Sequence, residues 1–153
     1  MVENGMAEKV STEKTPGAAS AAWKENLRKG MTGEAQVAVT LNNTAAAMGS
    51  GAVPVFATPA LAALVEAAAL DALKDALGDD QTSVGVYLDL QHQAATPVGL
   101  TVRAEARLAN IEGRRLTFRF AAFDDVEQIG AGTHQRMIVD IERFLSRTAA
   151  KRK

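Results

Sequence analysis

Thr58, Glu66 and His92 supply a hydroxyl, a carboxylate and an imidazole, the groups that general acid–base and nucleophilic catalysis use when they are brought together. Glu66 draws notice first. In "VFATPALAALVEAAALDAL", Val55 to Leu73, the pattern is helical, and at about 100° per residue the wheel neighbours of Glu66 are Ala62, Ala63, Ala69, Leu70, Leu73 and Leu77. Asp71, Lys74 and Asp75 fall on other sides, so Glu66 is the one charge aimed near the interior. A buried carboxylate is costly unless it is paired, hydrogen-bonded or protonated. His92 is the candidate partner: it ends the series Val84, Val86, Leu88, Leu90, and in an unbroken strand it points to the face the helix must cover. Each residue also has a plain structural reading. Glu66 can snorkel from the edge of the stripe into a loop or dimer seam, His92 can be a satisfied core histidine, and Thr58 can be a helix cap.

The elements that must position these groups follow from periodicity. Thr58-Pro59 suits a helix start, with threonine as N-cap and proline in the first turn. Before it, "EAQVAVTL" from Glu34 reads as a strand, and Asn42 to Pro54 as a loop with at most one helical turn. After Gly78 the pattern alternates: "TSVGVYLDLQH", "VGLTVRAEARLAN", "RRLTFRFAAF" and "EQIGAGTHQRMIVDI" are four strands, with hairpin turns at Glu112-Gly113 and Asp124-Asp125. One strand, one long helix and four strands make an α+β fold, the helix covering one face of an antiparallel sheet. Residues 1–30 read as a mobile tail with a short helix near Trp23, 31–146 as the single domain, and 147–153 as a solvated end.

Composition narrows the chemistry. The 153 residues are 47% hydrophobic, enough for one core. A net charge of -1 gives no field for a nucleic-acid backbone. The absence of cysteine removes disulfides, thiolate nucleophiles and cysteine-held zinc. Two separated histidines without a carboxylate cluster make a poor metal site. His134, in "GTHQR", shares strand parity with Gly132 and Arg136 rather than with Ile129, Met137 and Val139, which assigns it to the outer face or an interface. Gly49 and Gly51 match no phosphate-binding fingerprint. With no apolar run of the roughly 20 residues that span a bilayer and no secretory signal core, the expected compartment is the cytoplasm, without membrane attachment.

"VFATPALAALVEAAA", "SVGVYLDLQHQAATPVGLTV", "EGRRLTF" and "IGAGTHQR" together resemble the fluoroacetyl-CoA thioesterase branch of the hotdog-fold thioesterases, over about Met31 to Phe144. The resemblance implies a long central helix wrapped by a five-stranded antiparallel sheet, working as a homodimer, with further association to a tetramer left open. It implies hydrolysis of an acyl-CoA thioester to free acid and CoA, with no separate cofactor. The family's catalytic threonine, glutamate and histidine fall on Thr58, Glu66 and His92, and the glycine of its substrate-positioning strand on Gly85. The roles to test are His92 as base and then acid, Glu66 as the group that orients it, Thr58 as nucleophile or anchor of the attacking water, and the Gly85 N–H toward the oxyanion; Arg136 is a candidate for holding a CoA phosphate. One departure concerns specificity. The fluoroacetyl-specific enzyme carries lid phenylalanines just before "VFAT", whereas the matching Gly49 and Ala52 have no ring, so a short- or medium-chain acyl group is the expected substrate. A hotdog enoyl-thioester hydratase and a non-catalytic acyl-CoA binding module are the alternatives.

Overall fold

The computed structural model describes residues 23–152. Strands β1 (Thr32–Ala38), β2 (Gln81–His92), β3 (Thr101–Glu112), β4 (Arg115–Phe123) and β5 (Gln128–Asp140) form one antiparallel sheet in the order β1-β3-β4-β5-β2. The Asn42–Pro54 loop contains a single turn, α1 (Ala45–Met48), and the long helix is α2 (Thr58–Ala72). This is the α+β layout expected from periodicity. Gly113 turns β3 into β4 with φ of 60°, a left-handed conformation that glycine adopts without a Cβ clash.

Helix α2 buries Leu61, Leu64, Val65, Ala68, Ala69 and Ala72 against the β1 and β3 side of the sheet. Each large apolar side chain so buried contributes roughly 1.5–3 kcal/mol. The alanines bring the helix close: a Cβ on Gly33 of β1 would collide with the backbone of Ala68 and Ala72. From β3 and β4, Val102, Ala104, Ala106, Leu108, Leu116, Phe118, Phe120 and Ala122 close the core.

Three features depart from the sequence reading. The helix cap is Ala57, not Thr58, which is already helical. A bulge interrupts the β2–β5 ladder between Gly85 and Tyr87, and the extra residue, Val86, reverses the side-chain parity upstream of it. Ser83 and Gly85, rather than Val84 and Val86, therefore share the inner face with Leu88, Leu90 and His92. The third departure is at the ends. Trp23 and Leu27 belong to the core, and Asn26 donates to the Ala76 carbonyl at 3.2 Å, so packing begins before residue 31; residues 1–22 of the expected tail lie outside the described residues. At the other end α3 (Ile141–Ala149) carries the chain on as a helix that buries no residue, where strand followed by a solvated end was expected.

Candidate active site

Thr58 and His92 meet. Thr58 stands on the first turn of α2 and His92 ends β2, and Thr58 Oγ1 lies 2.8 Å from His92 Nδ1. Backbone ties between the two motifs impose the meeting. Phe56 N–H donates to the Thr96 carbonyl at 2.8 Å and Ala57 N–H to the Asn43 carbonyl at 3.0 Å, while Val55 bridges Pro97. Thr96, fully buried, donates its hydroxyl to Asp124 Oδ2 at 2.7 Å. Asp124 in turn accepts the Val126 and Glu127 N–H groups at 2.8 and 2.9 Å. "VFAT" and "AATP" are thus paired segments whose contact sets the hydroxyl against the imidazole.

His92 has the electrostatics of a base. Burial holds its imidazole below the usual histidine value, so it is neutral near pH 7 and can accept a proton. Its Nε2 is buried without a hydrogen-bond partner among the described residues. A cavity of about 230 Å³ opens beside the pair, lined by Ala45, Ser50, Phe56, Thr58, His92 and Ala94 among others. A larger one, about 660 Å³, lies among Glu34, Asp71, Glu105, Arg107 and Arg119. Its Asp71 is already bound by the Glu34 N–H and by Lys74 and its Glu105 by Arg103, and no nucleophile–base pair faces it. We therefore place the site at the smaller cavity.

Glu66 does not join them within one protomer. It lies eight residues beyond Thr58 on α2, about 12 Å by helical rise, and its Oε2 pairs with Arg136 Nη1 at 3.2 Å. The sequence pairs Glu66 with His92 either across a dimer interface or within one subunit; within one subunit its partner is Arg136. Gly85, opposite Arg136 on the neighbouring strand, leaves the room for this pair, because a Cβ there would collide with Glu66 Oε2.

Arg136 and His134 occupy the inner face, both almost wholly buried, which overturns their placement on the outer surface or an interface. Arg136 donates from Nε to Ser83 Oγ at 2.7 Å and from Nη2 to the Ser83 carbonyl at 2.9 Å. A guanidinium so enclosed is a poor surface hook for a CoA phosphate. The parity error has a physical source. The inner row of β5 is Gly130, Gly132, His134, Arg136 and Ile138, opposite Ala122, Phe120, Phe118 and Leu116 of β4 and the arginine-facing glycine of β2. Glycines fill that row where space is short: a Cβ on Gly132 would strike the Asp89 carbonyl, and one on Gly130 would crowd Leu61. Hydrophobic alternation cannot see an inward row written in glycine and polar residues. The Gly-x-Gly-x-His-x-Arg spacing itself was the available signal. Ser83, missed as a site residue, carried no signal beyond its place two residues before Gly85.

Among the described residues no three His, Cys, Asp or Glu side chains converge as metal ligands, and no helix is long and apolar enough to cross a membrane.

Comparison with known proteins identifies the family. The family model of the fluoroacetyl-CoA-specific thioesterase, FlK, matches residues 39–142. The fluoroacetyl-CoA thioesterase of Streptantibioticus cattleyicolor is 41% identical over 97 residues, covering 63% of this chain and 70% of that one. A crystal structure of a phenylalanine-to-alanine mutant of FlK, in complex with fluoroacetate and CoA, superposes with a TM-score of 0.73 at 35% identity, covering 77% of this chain and 99% of that one. A hot-dog-like protein from Thermanaerovibrio acidaminovorans matches in fold, with a TM-score of 0.77 at 19% identity over 86% of this chain and 97% of that one. With its five-stranded antiparallel sheet, long helix and matched motifs, the chain belongs to the fluoroacetyl-CoA-specific thioesterase family of hotdog-fold proteins.

Proposed function

We propose that this protein hydrolyses the thioester of a small or short-chain acyl-CoA, releasing the free acid and CoA. The observation that carries the reading is the 2.8 Å contact between the Thr58 hydroxyl and His92. A neutral imidazole at that distance can take the proton of the attacking hydroxyl. Attack on the thioester carbonyl then makes a tetrahedral oxyanion, the C–S bond breaks, and the proton held by His92 passes to the departing thiolate. Thr58 either receives the acyl group, which water then removes, or holds the water that attacks directly. The Gly85 backbone, beside the bulge, is the candidate oxyanion donor; lying roughly 20 Å along β2 from His92 of its own chain, it serves the site of a second copy. Thr58, Glu66, His92 and Gly85 are the site residues of this proposal; Arg136 serves it as the buried partner of Glu66.

The site is completed by a second copy. Glu66, half-exposed, is kept from His92 within one protomer, and pairing of two copies as a homodimer brings the carboxylate of one to the imidazole of the other. Uncovered apolar side chains agree with such a seam: Leu70 of α2 and, on the edge strand β2, Val86, Tyr87 and Leu88 are exposed in the single chain. The acyl group is small but not tied to fluorine. Residues 49–54 are exposed, Ser50 among them lines the cavity, and the segment contains no aromatic ring, so the loop excludes water from the acyl group less completely than a ring would. The cytoplasm is the proposed compartment.

The test is release of free thiol from acetyl-, fluoroacetyl-, hexanoyl- and phenylacetyl-CoA by the full-length protein. Turnover of acetyl-CoA comparable to or above that of fluoroacetyl-CoA is expected. Tight binding of the esters without turnover would replace the enzyme with a binding module, and strong preference for the fluorinated ester would overturn the specificity reading. Quenching in mid-turnover and weighing the protein shows whether Thr58 carries the acyl group.

A further inference from the structure

His134 is buried, belongs to no contact with Thr58 or His92, and is fully engaged. Its Nδ1 lies 2.8 Å from the Tyr87 carbonyl, its Nε2 lies 3.1 Å from Arg136 Nη1, and its ring stacks on Phe118 with centroids 6.4 Å apart. A guanidinium has donors only, and a carbonyl only accepts. Nε2 must therefore accept from Arg136 and Nδ1 must carry the proton, which fixes one neutral tautomer. The same Nη1 that donates to His134 donates to Glu66. Ser83 holds the other edge of the guanidinium through Nε and Nη2. We infer that His134 is a positioning residue, whose neutral Nδ1–H tautomer fixes the Nη1 edge of Arg136 and through it the Glu66 carboxylate that the active site uses.

This inference rests on the thioesterase reading only where it assigns Glu66 a use. Protonation of His134 would remove the acceptor and set two cations 3.1 Å apart. The charged groups that face the ring are Arg136 on its own strand and Glu66 from α2; β4 presents Phe118, and β2 presents the Tyr87 carbonyl. Burial first, aided by the Arg136 charge, holds the imidazole below its usual range against the opposite pull of the Tyr87 carbonyl and Glu66. The ring is thus built to stay neutral while the arginine stays charged.

Two measurements test it. His134→Phe keeps a ring stacked on Phe118 and removes both nitrogen contacts. If His134 acts through Glu66, the substitution lowers kcat/KM about tenfold beside native Glu66 and less than about twofold beside Glu66→Gln. Equal losses in both backgrounds would reduce His134 to a packing residue and overturn the inference. The second measurement needs no substrate and no folded His134 variant: ring nitrogen NMR of the wild-type protein, assigned with His92→Ala, which leaves one imidazole. The expected His134 signals are those of a neutral Nδ1–H ring at about pH 7; an Nε2–H tautomer or an imidazolium there overturns the inference. A wild type that hydrolyses no acyl-CoA defeats the thioesterase reading alone, since the tautomer is still read from the spectrum.

Discussion

At the scale of single residues the proposed chemistry turns on one proton acceptor, His92. Burial depresses the His92 pKa from 6.5, and a general base works only when unprotonated. The sign follows directly. Activity rises with pH as His92 loses its proton, so the acid limb of kcat/KM should have its midpoint below about pH 6.5, the unperturbed value. A pH–rate profile with its midpoint above that value would contradict the burial argument. His92→Ala should reduce turnover by about 10²-fold or more, measured by thiol release with the fold checked by circular dichroism; near-native rates would remove His92 from the mechanism. Thr58 shows why residue type alone decides little. It could have been spent as a helix cap, yet Ala57 takes that position and the hydroxyl is left for the imidazole.

At the scale of elements, the Thr58–His92 contact depends on a strut that touches neither member. The buried Thr96 hydroxyl ties the loop after β2 to Asp124 in the β4–β5 turn, while the Thr96 carbonyl holds Phe56, two residues before Thr58. Burial raises the Asp124 pKa, but the hydrogen bonds from Val126, Thr96 and Glu127 outweigh it and the net shift is downward from 3.8. A carboxylate with a lowered folded pKa adds stability above its unfolded value, and that stability is lost as pH falls through the folded value. Thr96→Val removes one donor and should cost about 1 kcal/mol near neutral pH, and less at a pH low enough to lie below the lowered folded value, where Asp124 is protonated and no longer draws on it. Chemical denaturation at the two pH values checks this; an equal cost at both would mean that lost packing, not the charged hydrogen bond, is responsible. This strut lies in "AATP", legible in the sequence as a motif but not as a mechanism. The helix and all five strands were legible because their apolar residues repeat at 3.6 or 2.0 positions. The β2 bulge was not, since one extra residue at Val86 leaves no mark in a run already rich in valine and leucine. Nor was α3 recognised at the end of a strand pattern, because it buries no side chain that would impose a core-facing period.

At the scale of the whole molecule, Glu66 poses the remaining problem. One chain holds the carboxylate on Arg136, about 12 Å by helical rise from Thr58, so a site that uses Glu66 with His92 needs two chains. Symmetry makes this testable, because a two-fold dimer builds two equivalent sites from reciprocal contributions. If each site takes His92 from one protomer and Glu66 from the other, His92→Ala and Glu66→Ala homodimers are both inactive. A mixed dimer behaves differently. One of its sites joins the native His92 of one chain to the native Glu66 of the other, and the second site carries both losses. After denaturation and refolding of an equal mixture, half of the dimers are mixed and half of their sites are intact, so about a quarter of wild-type activity should return. Sites contained within single protomers would return none, because every site would keep one lesion. Size-exclusion chromatography of the refolded mixture confirms that dimers have formed, and activity that stays at the level of the separate variants would mean that Glu66 serves its own protomer, as the partner of Arg136.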